Sequence, residues 1–91
     1  MRTAIVILNW NGRSWLERFL GQVVANSPGA EVIVADNGST DDSLTYLASA
    51  FPTVRTIRLE SNLGFAGGYN AALAHVHAER YLLLNSDVEV T

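Results

Sequence analysis

Four short apolar runs, separated by longer stretches with a helical pattern, limit what this chain can fold into. Residues 4–8, 32–35 and 81–84 are continuous apolar runs, which is typical of strands buried on both faces of a parallel sheet. Residues 54–59 instead mix apolar side chains with two arginines and predict a less buried edge strand. The alternation of strand and helix patterns therefore predicts an α/β fold.

The stretches between these runs predict three helices. A capping box at Ser14 and Glu17 opens the first helix, whose apolar residues then recur at helical spacing. Residues 44–51 form a shorter apolar stripe, and residues 70–77 form a third one after a glycine-rich loop at 62–68. The order βαβαβαβ predicts right-handed crossovers and a Rossmann-like, mostly parallel sheet of about four strands with helices on both faces.

The composition is that of one soluble globular domain, so we interpret residues 1–91 as a single unit. A net charge of -3 without any run of basic residues excludes binding to a nucleic-acid backbone. The lack of cysteine excludes disulfides, thiolate zinc sites and a cysteine nucleophile, which leaves oxygen ligands for a metal. Neither a signal-peptide pattern nor an apolar run of about 20 residues is present, so we predict a cytoplasmic protein.

Polar side chains follow three of the predicted strands at the point where each strand ends. Asn9 follows the first strand, Asp36 the second, and Asn85, Ser86 and Asp87 the fourth. Because the carboxyl ends of parallel strands share one edge, where ligands bind in open sheets, we expect these residues to converge. Any single loop among them is explained at least as well by the preference of Asn and Asp for turns and helix caps.

The two strand-end carboxylates have different predicted roles. Asp36 suits a hydrogen bond from the N3–H group of uracil or thymine, since a charged acceptor forms the stronger bond. Asp87 suits a divalent metal, Mg²⁺ or Mn²⁺, whose other ligands would be diphosphate oxygens and water. Such an ion would neutralise the charge that grows on the diphosphate as the glycosidic bond to it breaks. Trp10, in the loop after the first strand, is a candidate to border the nucleotide.

The glycine-rich stretch at residues 64–68 lacks both of the common nucleotide fingerprints. It does not have the GxGxxG spacing of a dinucleotide fold, and no Gly-Lys-Ser/Thr follows it as in a P-loop. These absences argue against a dehydrogenase and against an NTPase. The glycines permit a close approach of backbone amides to a phosphate, and a plain flexible loop explains them equally well.

Four motifs, taken in this order and spacing, are similar to those of one known family. Residues 7–12, 34–41 and 62–70 resemble three motifs in the N-terminal half of family-2 nucleotide-sugar glycosyltransferases. Residues 83–87 lie where that family has its DXD-type motif. The resemblance covers essentially all 91 residues and implies a partial GT-A fold, the nucleotide-sugar-binding half of a longer enzyme.

The resemblance also implies roles for individual residues. Asn9 and Asp36 would contact the nucleobase, and Asp87 would bind the metal. Asn85 replaces the first Asp of the DXD pattern and would hydrogen-bond the ribose or the sugar. The other residues expected to border the nucleotide are Asn62, Gly67, Gly68 and Asn70, with Tyr69 at a position where the family often has Arg.

The activity implied by the resemblance is an inverting, metal-assisted transfer from a UDP- or dTDP-sugar to a saccharide or lipid-linked acceptor, as in polysaccharide biosynthesis. The family's acceptor site and general base lie further along the chain, so we expect this chain to be inactive alone. The predicted location is the cytoplasm, with membrane association of the full-length enzyme as the alternative. A non-catalytic module that binds a nucleotide sugar is the main alternative. An unrelated doubly wound protein is a third hypothesis.

The fourth strand carries a separate prediction. If it is interior to a larger sheet in the longer enzyme, residues 81–84 present a free edge here, and we predict a homodimer or strand exchange through that edge. We interpret the remaining polar and aromatic candidates structurally: His75 and His77 as surface residues, Trp15 as a packing residue, and Asp41 and Asp42 as partners of the second helix's positive N-terminus.

Overall fold

The computed structural model describes residues 2–86 and contains one sheet of four parallel strands. The strands are β1 (Thr3–Asn9), β2 (Ala30–Asn37), β3 (Arg55–Leu59) and β4 (Arg80–Asn85). Their order across the sheet is β3-β2-β1-β4, and each neighbouring pair is parallel. The predicted parallel α/β fold is confirmed, and β3 is an edge strand as its sequence indicates.

Three helices connect the strands. Helix α1 consists of three contiguous segments, Arg13–Trp15, a π-helical stretch at Leu16–Leu20, and Gly21–Ala25. Helix α2 spans Ser43–Ala50, and helix α3 spans Gly64–Leu73. Within residues 2–86, the helices lack the length and apolar character that crossing a membrane requires.

The sheet has a separate apolar core on each of its faces. On one face, Ile7 of β1 shares a buried cluster with Leu16 of α1 and Leu47 of α2. On the other face, Val6 of β1 shares a cluster with Tyr69 of α3. Covering on both faces explains why β1 and β2 contain continuous apolar runs, and it confirms the prediction of helices on both sides.

The start of α1 differs from the prediction. The helix begins at Arg13, with Gly12 at the N-cap and no side-chain capping bond, so the predicted capping box at Ser14 is wrong. The backbone N–H of Leu16 already donates to the carbonyl of Gly12 (2.9 Å), which places Ser14 inside the first turn. Glu17 forms an ion pair with Arg13 one turn earlier instead of reaching back to a cap.

The glycine-rich stretch also differs from the prediction. Residues 64–68 form the first turns of α3 instead of a loop, and the helix ends at Leu73, four residues before the predicted end. The side-chain Oδ1 of Asn62 accepts a hydrogen bond from the N–H of Gly64 (2.7 Å), and Gly64 has a positive φ of 74°. The Asn62 side chain therefore supports the start of a helix that glycine propensity alone disfavours.

β4 lies at the second edge of the sheet, with β1 on one side. Its middle residues are exposed, and Leu82 is 51% accessible, so the prediction that residues 81–84 are buried on both faces is wrong. Among residues 2–86, no strand pairs with the outer side of β4, in agreement with the predicted free edge at residues 81–84. Association through this edge stays a prediction.

Candidate functional site

The carboxyl ends of the strands meet at one edge of the sheet, which we call the strand-end rim and define as residues 9–12, 36–41 and 85–86. In the parallel ladders, Asn9 is aligned with Asp36, and Leu8 is aligned with Asn85. The predicted convergence of the strand ends is therefore confirmed for these positions. Asp87, the predicted metal ligand, lies outside the described residues.

Asp36 is the buried carboxylate of the rim, with 1% of its surface exposed. Its Oδ1 accepts hydrogen bonds from Asn9 Nδ2 (3.0 Å) and from the hydroxyl of Ser39 (2.6 Å). Its Oδ2 accepts one hydrogen bond from the backbone N–H of Ser39 (3.0 Å). Since a carboxylate oxygen can accept two donors, Oδ2 retains capacity for a ligand N–H group.

Asn9 connects Asp36 to the end of β4. The side chain is fully buried, and its Nδ2 donates to Asp36 Oδ1 and to the hydroxyl of Ser39 (3.3 Å). Its Oδ1 accepts a hydrogen bond from the hydroxyl of Ser86 (2.9 Å). The backbone N–H of Ser86 in turn donates to the carbonyl of Leu8 (3.0 Å). A chain of buried hydrogen bonds therefore joins the ends of β4, β1 and β2.

Asn11 links the turn after β1 to the turn after β2. Its φ of 52° lies in the left-handed region, which Asn tolerates. The side-chain Oδ1 accepts hydrogen bonds from the N–H of Thr40 (2.7 Å) and of Asp41 (3.1 Å). Its own backbone N–H donates to the hydroxyl of Ser39 (2.9 Å). These bonds fix the two turns relative to each other.

Asp41 closes the same turn onto two helix starts. Its Oδ1 accepts hydrogen bonds from the N–H and hydroxyl of Ser43, and its Oδ2 accepts one from the N–H of Arg13 (3.2 Å). Burial raises the pKa of Asp41, but the bonds from Ser43 and Arg13 outweigh it, so the pKa lies below its ordinary value. The predicted structural role of Asp41 at the start of α2 is confirmed.

Asn37 is a site-forming residue that the sequence interpretation missed. It is 2% exposed, and its Oδ1 accepts a hydrogen bond from the N–H of Leu63 (3.0 Å). Its Nδ2 donates to Asn62 Oδ1 (3.2 Å) and to the carbonyl of Gly64 (3.1 Å). Asn37 thereby holds the segment before α3, including the predicted site residue Asn62, against the end of β2. The available signal was a polar residue next to Asp36 at the end of a buried strand.

Two glycines permit the close packing of the rim. A Cβ at Gly12 would lie 2.4 Å from the Ser86 hydroxyl oxygen and 2.5 Å from Asn9 Oδ1. A Cβ at Gly68 would lie 2.9 Å from Asn37 Nδ2 and 2.9 Å from a methyl carbon of Leu8. Gly68 therefore allows α3 to approach β1, a packing role that sequence interpretation had not assigned. Its predicted contact with a nucleotide stays a prediction.

The other predicted site residues differ in their accessibility. Trp10 follows Asn9 directly and is 41% exposed, so its ring is available for stacking at the rim. Asn70 is exposed on α3, and Gly67 is partly buried beside Leu63. Tyr69, which stands where the family often has Arg, is buried in the core on the α3 face of the sheet.

The hydroxyl of Tyr69 donates a hydrogen bond to the carbonyl of Leu84 in β4. Burial raises the pKa of Tyr69, while a hydrogen bond with the backbone of Leu8 opposes this to a smaller extent. The side chain therefore connects α3 to the end of β4 and contributes to the fold beneath the rim.

In the described part of the rim, the polar atoms are oxygens and nitrogens of Asn, Asp, Ser and Thr side chains, and the oxygens are possible metal ligands. Within residues 2–86, no group of three His, Cys, Asp or Glu side chains is arranged to hold a metal ion. Oxygen donors fit Mg²⁺ or Mn²⁺ if a single protein carboxylate is supplemented by diphosphate oxygens and water. This is the ligand arrangement that the sequence predicts for Asp87.

Comparisons with known proteins give one consistent family. The family model described as "Glycosyl transferase family 2" matches residues 4–91. The succinoglycan biosynthesis protein ExoU of Rhizobium meliloti is 33% identical over 86 residues, which cover 91% of this chain and 25% of that protein.

Two solved structures share the fold. S. aureus TarS 1-349 in complex with UDP has a TM-score of 0.79 and 26% identity, over 96% of this chain and 28% of that chain. Glucosyl-3-phosphoglycerate synthase from Mycobacterium tuberculosis, in complex with Mn2+, UDP and glucosyl-3-phosphoglycerate, has a TM-score of 0.80 and 22% identity, over 97% of this chain and 34% of that chain. The chain thus spans between 25% and 34% of the length of these three proteins.

Proposed function

Since the chain belongs to glycosyl transferase family 2, we propose that it is the donor-binding part of an enzyme that transfers a sugar from a UDP- or dTDP-sugar. The nucleotide lies at the strand-end rim, and the sugar is passed with inversion to a saccharide or lipid-linked acceptor. ExoU, a relative named for succinoglycan biosynthesis, supports a polysaccharide product.

The observation that carries this proposal is the buried Asp36 carboxylate. Its Oδ1 is engaged by Asn9 and Ser39, whereas its Oδ2 accepts a single donor from the part of the chain that the structure describes. Uracil and thymine each present an N3–H donor, and a charged acceptor screened from water forms a strong hydrogen bond with such a group. TarS, which shares this fold at 26% identity, was solved in complex with UDP, which supports uracil as the base.

The other subsites of the proposal follow the rim outward from Asp36. Trp10 borders the nucleotide with its exposed ring, and Asn62, held by Asn37, borders it from the α3 side. Asn85 hydrogen-bonds the ribose or the sugar. An inverting transfer needs a carboxylate near the acceptor as general base. The proposed role of this segment is donor binding alone, so we assign no general base within residues 2–86.

Asp87 is proposed to hold a divalent ion, Mg²⁺ or Mn²⁺, together with the diphosphate. When bound, such an ion offsets the negative charge that develops on the leaving diphosphate. A relative of the same fold, glucosyl-3-phosphoglycerate synthase, holds Mn2+ together with UDP, which supports an ion of this kind. The role of the protein is to orient the nucleotide through Asp36 and its neighbours.

Calorimetric titration with UDP, dTDP and GDP, with and without Mn²⁺, tests the proposal. We expect Asp36→Ala to weaken UDP binding about 10- to 100-fold, the value of one hydrogen bond to a charged group. We expect Asp87→Ala to remove the effect of Mn²⁺ on UDP affinity. Asp42→Ala is the matched control, because this exposed carboxylate lies outside the rim, at the N-cap of α2, where it pairs with Arg13.

The results separate the two assignments. Equal UDP affinity in the wild-type chain and in Asp36→Ala would contradict the base-binding role of Asp36. An unchanged Mn²⁺ effect in Asp87→Ala would contradict the metal role.

A further inference from the structure

The side chain of Asn9 has little capacity left for a ligand. Its Nδ2 has two hydrogens, and these are directed to Asp36 Oδ1 (3.0 Å) and to the hydroxyl of Ser39 (3.3 Å). Its Oδ1 accepts the Ser86 hydroxyl (2.9 Å), and the whole residue is inaccessible to solvent. A direct contact between the Asn9 amide and a nucleobase would have to break one of these buried bonds, which costs about 1–3 kcal/mol.

We propose that Asn9 and Ser86 are positioning residues that act on nucleobase selection through Asp36, without touching the nucleotide themselves. This inference rests on the proposed function of Asp36. The Ser86 hydroxyl fixes the orientation of the Asn9 amide, because Oδ1 must face the hydroxyl donor. The Nδ2 group then faces Asp36 and holds Oδ1 of that carboxylate, which leaves Oδ2 as the oxygen presented to the base.

The turn after β1 packs closely against this chain of bonds. A Cβ at position 12 would lie within 2.5 Å of both the Ser86 hydroxyl oxygen and Asn9 Oδ1, so the turn after β1 lies directly against their contact. The Ser39 hydroxyl donates to the same oxygen of Asp36 that Asn9 engages. Three separate strand ends and one turn therefore determine the direction of one carboxylate.

The chemical consequence is discrimination between pyrimidine bases. Uracil has an N–H donor at N3, whereas cytosine has an unprotonated nitrogen acceptor at the same position. A fixed carboxylate oxygen attracts the first and repels the second. A carboxylate that is free to rotate can instead reach other donors of cytosine, so loosening its supports lowers the preference for UDP over CDP more than it lowers affinity in general.

The experiment compares the ratio of the Kd values for CDP and UDP in the full chain and in single variants. We expect Asn9→Ala to reduce the preference for UDP about tenfold, the effect of one lost hydrogen bond to a charged group. We expect Ser86→Ala, which acts one bond further away, to reduce it about threefold. Thr53→Ala is the matched control, because this exposed threonine precedes β3 at the edge of the sheet opposite the rim, and it should leave the ratio unchanged.

A double-mutant cycle separates positioning from a general structural effect. In an Asp36→Ala background, Ser86→Ala should no longer change the ratio, because the group through which it acts is gone. If Ser86→Ala is poorly folded by circular dichroism, Ser86→Cys replaces the hydroxyl by a somewhat larger thiol that is a weaker donor, and it should give the same direction of change.

The outcomes distinguish this inference from the proposed function. A wild-type chain that prefers UDP, with an unchanged preference in Asn9→Ala and Ser86→Ala, overturns the positioning role alone. The positioning role is also overturned if Ser86→Ala still changes the ratio in the Asp36→Ala background. A wild-type chain that binds neither nucleotide overturns the proposed function and the positioning role together.

Discussion

Replacing Gly38 by Ala tests the close approach of two loops on which the rim depends. Gly38 follows β2 with a φ of 79°, and a Cβ there would lie 2.7–2.8 Å from backbone atoms of Ser61 and Asn62. Gly29 has nearly the same φ, 83°, but a Cβ there would meet no atom within 4 Å. The two glycines thus share the same backbone requirement and differ in their surroundings.

The expected magnitudes follow from this difference. A left-handed conformation costs an alanine about 1–2 kcal/mol, so Gly29→Ala should destabilise the chain by that amount. Gly38→Ala carries the same strain, and the displaced backbone adds about 1–3 kcal/mol of overpacking. The total remains below the roughly 5–14 kcal/mol expected for a chain of this length, so the variant should still fold.

Urea denaturation followed by circular dichroism measures both variants. With an m-value of about 1–1.5 kcal/mol/M, Gly38→Ala should lower the midpoint by about 0.7–3 M more than Gly29→Ala does. Equal midpoints for the two variants would refute the argument, because they would mean that Gly38 does not lie against residues 61 and 62.

Three further predictions follow from individual contacts. Asn37→Ala removes three partly buried hydrogen bonds and should destabilise the chain by about 2–4 kcal/mol in urea denaturation. The exposed control Asn26→Ala should change stability by less than about 0.5 kcal/mol. A smaller cost for Asn37→Ala than for the control would contradict its role before α3. The pKa of Tyr69 is raised in the folded chain, so its contribution to stability is complete below about pH 10, the ordinary pKa of tyrosine. This contribution is lost as the pH rises through the pKa of the folded chain. Tyr69→Phe should remove this part of the loss of stability at alkaline pH, at a cost of about 1 kcal/mol at neutral pH. An identical alkaline decline in stability with and without the hydroxyl would count against it. The free edge of β4 should give a concentration-dependent dimer in light scattering, which Leu82→Glu should weaken by placing charge on the exposed edge; a wild-type chain that stays a monodisperse monomer at high concentration would contradict this prediction.

The strand pattern was predictable because burial on both faces leaves a clear signal in the sequence. The runs at residues 4–8 and 32–35 predicted β1 and β2, but both strands extend further, to Asn9 and Asn37. The ladder that pairs Asn9 with Asp36 continues the strands past their apolar residues. The ends of the strands depend on pairing between distant segments of the chain. The pattern of apolar residues carries no information about this pairing.

The helix boundaries were less predictable for a related reason. Glycines at residues 64–68 favour a loop by propensity, but Asn37 and Asn62 bind the backbone of Gly64, and Gly68 fits against Leu8. The contacts of Asn37 with Gly64 and of Gly68 with Leu8 join residues 27 and 60 positions apart in the chain, so local sequence could not reveal them. At the start of α1, the ion pair of Arg13 with Glu17 offered a competing use for a residue that the capping-box pattern had assigned elsewhere.

The candidate site was predictable in its place but not in its connections. The parallel order of the strands was enough to bring Asn9 and Asp36 together. The donor and acceptor pattern that links Ser86, Asn9 and Asp36 depends on side-chain directions across three strands, and the role of Asn37 depends on where the segment before α3 lies. Both became evident only from the three-dimensional contacts.

The central claim, that a nucleotide binds along the strand-end rim, is tested most directly by NMR of the ¹⁵N-labelled chain with UDP and Mn²⁺. Because Mn²⁺ is paramagnetic, it broadens the amide signals of nearby residues. We predict broadening and UDP-dependent shifts at the rim, residues 9–12, 36–41 and 85–86, while the opposite strand ends at Thr3, Ala30 and Arg80 stay unchanged. UDP-dependent changes confined to those opposite ends, or no change at either edge at saturating UDP, would contradict the account.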